Sequence, residues 1–197
     1  MATTSNPNLL GVDWSTIPAP IDDGEAAHLE GSAVPHVNLP STGGGLVDLA
    51  APKGTTVVYA YPRTGQPGQI AIVDDWDSIP GARGCTPQSC AFRDHHTALQ
   101  EAGAAQVFGL STQDSDYQRE AVERLHLPFA ILSDEKLELA RALRLPVMTV
   151  ADTVMLKRLA MVIDDGVIAK VFYPVFPPDR NAADVLAWLT ERKRGRA

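Results

Sequence analysis

Two cysteines occur in the 197-residue chain, Cys85 and Cys90, five positions apart in the run Gly84-Cys85-Thr86-Pro87-Gln88-Ser89-Cys90-Ala91-Phe92-Arg93-Asp94. A thiol can serve as a nucleophile, a metal ligand or a small apolar core residue, and its position decides which. Thr86 is a good N-cap, Pro87 suits a first helical position and Gly103 is a stop signal, so a helix is expected from about Pro87 to Ala102. Proline disfavours the helical region at the residue before it. This predicts a non-helical Thr86, with Cys85 at the lip of the helix N-terminus and Cys90 inside its first turns. The partial positive charge of a helix N-terminus favours a reactive thiolate, and Arg83 and Arg93 are placed to add to that field.

The spacing also constrains any redox step. Five helical residues rise about 7.5 Å, beyond the roughly 4.4–6.8 Å Cα separation of a disulfide. Were Cys85 and Cys90 to bond, the first turns would have to unwind, from about Gly84 to Ala91. A zinc site from Cys85, Cys90, His95 and His96 has suitable residue types, but the four do not share a helix face and the cysteine spacing is atypical. A Cys-x-x-Cys pair, the mark of a general disulfide oxidoreductase, is missing.

Composition narrows the setting. Apolar residues make up 45% and charged residues 21%, a globular balance, and the formal charge of −7 gives no support for nucleic-acid binding. Two cysteines are too few for a disulfide scaffold. The opening Met1 to Asn8 lacks a cationic and apolar leader pattern, and apolar runs such as Phe129 to Leu132 fall far short of a membrane span. A cytoplasmic location without membrane contact is therefore expected, and there a disulfide would be catalytic or sensing.

The elements that must position the cysteines can be read in order. Residues 1–30 form a polar N-terminal extension, which Trp14 and Ile17 are able to dock. Val37–Leu39 and Leu46–Leu49 flank Gly43-Gly44-Gly45 and predict an N-terminal β-hairpin. Thr55 to Tyr61 is a β-branched and aromatic run, the sign of a buried central strand. Residues 63–84 are rich in Gly and Pro and read as a long inserted loop, a type that is usually functional. Strands are then expected at Gln106–Leu110 and Phe129–Leu132, with helices over Asp116–Leu125 and Asp134–Leu143. Leu159–Ile163 and Val167–Tyr173 flank Asp164-Asp165-Gly166, a hairpin signal, and a last helix is expected from Asn181 to Lys193 before a basic tail at 194–197. This order predicts an α/β fold, a central mixed sheet with helices on both faces over residues 31–193.

The run from Gly84 to Asp94 resembles the active-site helix of the peroxiredoxins. It is most similar to the peroxiredoxin Q or bacterioferritin-comigratory subgroup, which carries two cysteines five apart followed by Phe-Arg-Asp. The resemblance spans roughly residues 31–190, including Tyr59-Ala60-Tyr61-Pro62 before the helix and Val107 to Ser111 after it. It implies a thioredoxin-like fold and a thiol-dependent peroxidase acting on hydrogen peroxide or organic hydroperoxides. In that scheme Cys85 is the peroxidatic cysteine and becomes a sulfenic acid, and Cys90 is the resolving cysteine that closes a Cys85–Cys90 disulfide. A thioredoxin-like dithiol reductant recycles the pair, and no metal or organic cofactor is required. Arg158, before Leu159 to Asp164, matches the family arginine beside the peroxidatic sulfur. The chain is expected to act as a monomer or homodimer.

The family motif also has a proline seven residues and a threonine three residues before the peroxidatic cysteine, where this chain carries Ser78 and Ala82. An insertion explains the difference, with Pro62 and Thr64 as the supporting residues and Thr64 folding back toward Cys85; Pro80 is the other candidate shield. The competing reading is a thiol redox sensor that uses the same Cys85 switch without significant turnover.

Overall fold

A computed structural model describes residues 12–196, so the opening residues Met1 to Asn8 lie outside the described part. In chain order the elements are a hairpin of β1 (Asn38–Pro40) and β2 (Leu46–Asp48), then β3 (Thr55–Ala60), α1 (Cys85–Asp94), α2 (His96–Glu101), β4 (Ala104–Ser111), α3 (Ser115–Leu125), β5 (Ile131–Ser133) and α4 (Glu138–Leu143). A second hairpin, β6 (Val147–Val150) with β7 (Thr153–Leu156), and a third, β8 (Leu159–Asp164) with β9 (Val167–Phe172), precede α5 (Asn181–Arg196).

The main sheet has the order β5-β4-β3-β8-β9. Strands β3, β4 and β5 are parallel, while β8 is antiparallel to β3 and to β9. The β-branched run therefore occupies the centre, with Val57 opposite Val107 on one side and Val162 on the other. Alternation along β3 sends its side chains to two cores. Val57 and Tyr59 pack with Phe92, Leu99, Val185 and Leu189 of α1, α2 and α5. Val58 and Ala60 pack with Leu39 of the first hairpin, Leu139 and Leu143 of α4, and Met161. Helices thus cover both faces, as the element order predicts.

Four local expectations need correction. The active-region helix begins at Cys85, not Pro87, and Thr86 is helical with Gly84 as N-cap. Pro87 is the third helical residue, where a missing N–H costs nothing. The carbonyl four residues back, on Arg83, accepts instead from Arg158 Nη2 at 3.1 Å. The expected single helix to Ala102 is broken at His95, whose backbone leaves the helical region (φ −95°, ψ 1°) and whose ring Nδ1 lies 2.8 Å from the Ala91 carbonyl. The helix expected from Asp134 starts at Glu138; Asp134 still serves its N-terminus, its carboxylate accepting from the Leu139 and Ala140 amides at 3.1 and 2.7 Å. The hairpin β6–β7 went unforeseen because its turn, Ala151-Asp152, takes positive φ without a glycine. In addition, α5 continues through Arg196, beyond the expected end at Lys193.

The arm docks through Trp14, whose Nε1 donates to Asp179 Oδ2 at 2.8 Å and whose ring meets Phe176 edge-on at 6.1 Å. The loop at 63–84 is irregular except for a 3₁₀ turn at Trp76–Ser78.

Candidate active site

Both cysteines are free thiols on α1. Cys85 is buried, 4% exposed, at the first helical position, while Cys90 is half-buried one and a half turns on. The N-cap, Gly84, holds φ at 109°, which a residue with a side chain rarely adopts. A Cβ at Gly84 would also stand 2.5 Å from Pro178 Cγ and 3.0 Å from Trp14 Cη2. The helix start is thus clamped between the arm and the 3₁₀ turn at Pro178–Arg180. Gly84→Ala is expected to lower stability by about 2–4 kcal/mol, measured by chemical denaturation, because it adds both a clash and left-handed strain. An unchanged midpoint would mean that the clamp yields freely.

Arg158 reaches this point from the residue before β8 and is 2% exposed. Its Nη2 lies 3.2 Å from Cys85 Sγ and also donates to the carbonyls of Gly81, Ala82 and Arg83 at 3.2, 3.1 and 3.1 Å. Its Nη1 donates to Gln88 Oε1 at 2.6 Å, and Gln88 Nε2 in turn donates to Asn181 Oδ1 at 2.9 Å. The guanidinium therefore has one orientation, fixed from α1, α5 and the end of the loop. Its Nε is buried without a hydrogen-bond partner among the described residues. Such an orphaned donor costs about 1–3 kcal/mol and marks a position prepared for an acceptor. The Cys85 thiol itself donates to the Ala82 carbonyl at 3.6 Å.

Gln88 is a site residue that sequence reasoning missed. It lies three positions after Cys85, one turn along the same helix face, and a polar side chain there was the available signal. Of the residues singled out from sequence, Cys85 and Arg158 meet directly. Pro62 and Thr64 are both buried just past β3. Thr64 is committed elsewhere: its hydroxyl and amide donate to Gln113 Oε1 at 3.2 and 2.9 Å, and Gln113 Nε2 donates back to the Thr64 carbonyl at 3.1 Å. The expected approach of its hydroxyl to Cys85 is not among the hydrogen bonds of that thiol, which go to Ala82 and Arg158. Arg83 pairs with Asp77 in an exposed ion pair. Arg93 bonds Asp94 and the Leu125 carbonyl and adds positive charge near Cys90, yet burial outweighs it and pushes the Cys90 thiol up. The histidines considered as zinc ligands are otherwise engaged: His95 with the Ala91 carbonyl, and His96 with the Phe129 ring at 5.6 Å.

A sheet of this topology, carrying a thiol at the start of its main crossover helix under a fixed arginine, defines a thioredoxin-like thiol protein. The Redoxin family model matches residues 29–186, and the chain belongs to that family. Within it, the similarity is to peroxiredoxin Q. The chloroplastic peroxiredoxin Q of Oryza sativa subsp. japonica is 30% identical over 161 residues, covering 81% of this chain and 66% of the rice protein. That of Sedum lineare is 30% identical over 165 residues, covering 83% of this chain and 79% of the relative. The chain thus spans just under two thirds of the rice protein. Among solved structures, the peroxidoxin BcpB of Mycobacterium tuberculosis superposes with a TM-score of 0.66 at 25% identity, covering 83% of this chain and 98% of that one.

Proposed function

We propose that this chain is a thiol-dependent peroxidase that reduces hydrogen peroxide or organic hydroperoxides. The observation that carries the reading is the Arg158 Nη2 to Cys85 Sγ contact of 3.2 Å at the first residue of α1. A guanidinium there stabilises negative charge on the sulfur and on the oxygen that leaves as the peroxide bond breaks. In the first step the Cys85 thiolate attacks the terminal peroxide oxygen. The S–O bond forms, the O–O bond breaks, sulfur loses two electrons, and the departing hydroxide or alkoxide takes a proton from solvent. The Cys85 sulfenic acid then condenses with the Cys90 thiol, releasing water and closing a disulfide. A thioredoxin-like dithiol reduces that bond and is itself oxidised to a disulfide.

Both cysteines lie on one helix, so a single chain suffices, and a monomer or homodimer serves equally well. The reductant requirement fits a reducing compartment such as the cytoplasm. Pro62 and Thr64 act as supports: Thr64, locked to Gln113, fixes the chain where β3 gives way to the loop. Among the described residues no helix is long and apolar enough to cross a membrane.

The resolving step demands that α1 open. Cys90→Ser is expected to retain a single rapid oxidation by hydrogen peroxide but to lose steady-state turnover with thioredoxin and its reductase by at least about tenfold. In the wild type, amide-exchange protection over 84–91 should collapse in the oxidised form and return on reduction. Undiminished turnover in the variant, or equal protection in both redox forms, overturns the role of Cys90.

A further inference from the structure

The guanidinium beside Cys85 is steered by a buried chain of side chains that ends at Asn181, the first residue of α5. Arg158 Nη2 lies 3.1–3.2 Å from three carbonyls and Cys85 Sγ, more acceptors than its two hydrogens can serve at once. Those contacts leave the rotation of the group to be set elsewhere. Nη1 has one acceptor among the described residues, Gln88 Oε1 at 2.6 Å, and this short bond sets it. The bond depends on which way the Gln88 amide points. Its oxygen and nitrogen ends are nearly equal in size, so a half-turn about the last side-chain bond swaps them at little steric cost. Once turned, the NH2 group would meet the guanidinium donor to donor. Asn181 Oδ1, 2.9 Å from Gln88 Nε2, is satisfied in only one of the two directions. Gln88 and Asn181 are 0% and 1% exposed, so bulk water is not at hand to replace either bond.

We propose that Asn181 is a positioning residue for the peroxide step: it sets the direction of the Gln88 amide and, through Gln88 and Arg158, the donor that faces Cys85 Sγ. The proposal rests on the peroxidase reading and adds a residue to it. Asn181 suits the task because its own backbone is held. It follows directly on the 3₁₀ turn at Pro178–Arg180, and that turn is fixed from two sides. Asp179 accepts from Trp14 Nε1 at 2.8 Å, and Pro178 packs so closely on Gly84 that a Cβ there would stand 2.5 Å from its Cγ. The turn that leads into Asn181 therefore rests on the same Gly84 that starts the Cys85 helix. The acceptor at one end of the chain and the sulfur at the other are thus set in one frame. Loss of the acceptor frees the amide to turn. In the turned state Arg158 has no partner at Nη1 and is free to carry its charge away from the sulfur and the leaving oxygen.

The test is a double-mutant comparison, read by stopped flow as the second-order rate constant for Cys85 oxidation by hydrogen peroxide. Asn181→Leu keeps the size of the side chain but removes the acceptor, and should lower the constant about tenfold. Asn181→Asp keeps an oxygen for Gln88 Nε2 and suits the first turn of a helix, so it should stay within about threefold of the wild type. Gln88→Glu offers Arg158 an oxygen in either direction, and in that background Asn181→Leu should change the constant by less than about twofold. Should the leucine variant fail to fold, Asn181→Ala gives the same comparison with no apolar branch added. A loss of equal size in both backgrounds, an aspartate variant as slow as the leucine one, or no loss on removal of the acceptor overturns the positioning role and leaves the peroxidase reading in place. A wild type whose Cys85 thiol survives hydrogen peroxide overturns that reading and the positioning role with it.

Discussion

Cys85→Ser is expected to abolish peroxide consumption, with a loss of at least about 10³-fold in the rate constant for the first oxidation. The reason is chemical and not steric. Serine retains a donor to the Ala82 carbonyl and an acceptor for Arg158, the two hydrogen bonds that Cys85 makes. Its oxygen, however, is neither ionised to a useful extent nor able to accept an oxygen atom and pass to a sulfenic acid. Stability should shift by only about 1 kcal/mol, because the hydrogen bonds are kept and the volume change is small. Hydrogen peroxide consumption with thioredoxin and its reductase, set beside a denaturation curve, separates loss of chemistry from loss of fold. Appreciable turnover in a folded Cys85→Ser protein would move the nucleophile to Cys90 and invert the proposed roles.

The second large effect is expected at Arg158. Arg158→Met should lower the rate constant for peroxide attack about 10²- to 10³-fold, the usual cost of removing one fixed donor aimed at developing charge. It should also destabilise the fold. The Gly81, Ala82 and Arg83 carbonyls and Gln88 Oε1 all lose their partner. Gly81 and Arg83 are only part-buried at these contacts and can turn to water, so a net loss of about 3 kcal/mol is expected. Arg158→Lys tells the two effects apart. An ammonium keeps the charge but cannot hold Gln88 and face Sγ together, so it should recover part of the stability and little of the rate. A folded Arg158→Met protein that reacts as fast as the wild type would reduce the arginine to a structural clasp.

The site was legible where chemistry fixes residue type and spacing. Cys85 and Cys90 were available from the sequence because thiols are few and their spacing is distinctive, and Arg158 through the family resemblance, as the arginine that directly precedes the Leu159 to Asp164 run. The central strand was legible for the same kind of reason: a chain buried on both faces must be apolar at consecutive positions, and Thr56 to Ala60 are all buried. What escaped depended on long-range partners. Pro87 suggested a later helix start, but it stands third in the helix, where no N–H is required, and Arg158, 75 residues beyond Arg83, takes up the carbonyl that precedes the helix. Thr64 has the right residue type for a hydroxyl at the site, yet Gln113 holds it, 49 positions away. Gln88 takes its role from partners far along the chain, Arg158 and Asn181, which meet the two ends of its amide. The β6–β7 turn lacked the glycine that made the β8–β9 turn obvious.

The redox scheme also explains a tension in the structure. Both thiols sit on an intact helix that is clamped at its start by Trp14, Pro178 and the Arg158 contacts. That order presents Cys85 to its arginine with Cys90 about one and a half turns further on, so the proposed scheme requires one conformation for the attack on peroxide and another for closing the disulfide.

The most direct measurement is a stopped-flow titration of the fully reduced protein with one equivalent of hydrogen peroxide, with free thiols counted as the reaction proceeds. A fast first phase, lost in Cys85→Ser, should oxidise Cys85, and a slower second phase should leave no free thiol; Cys90→Ser should stop after the first phase with a trappable sulfenic acid. Two thiols that both survive the peroxide, or a first phase that persists without Cys85, would contradict it.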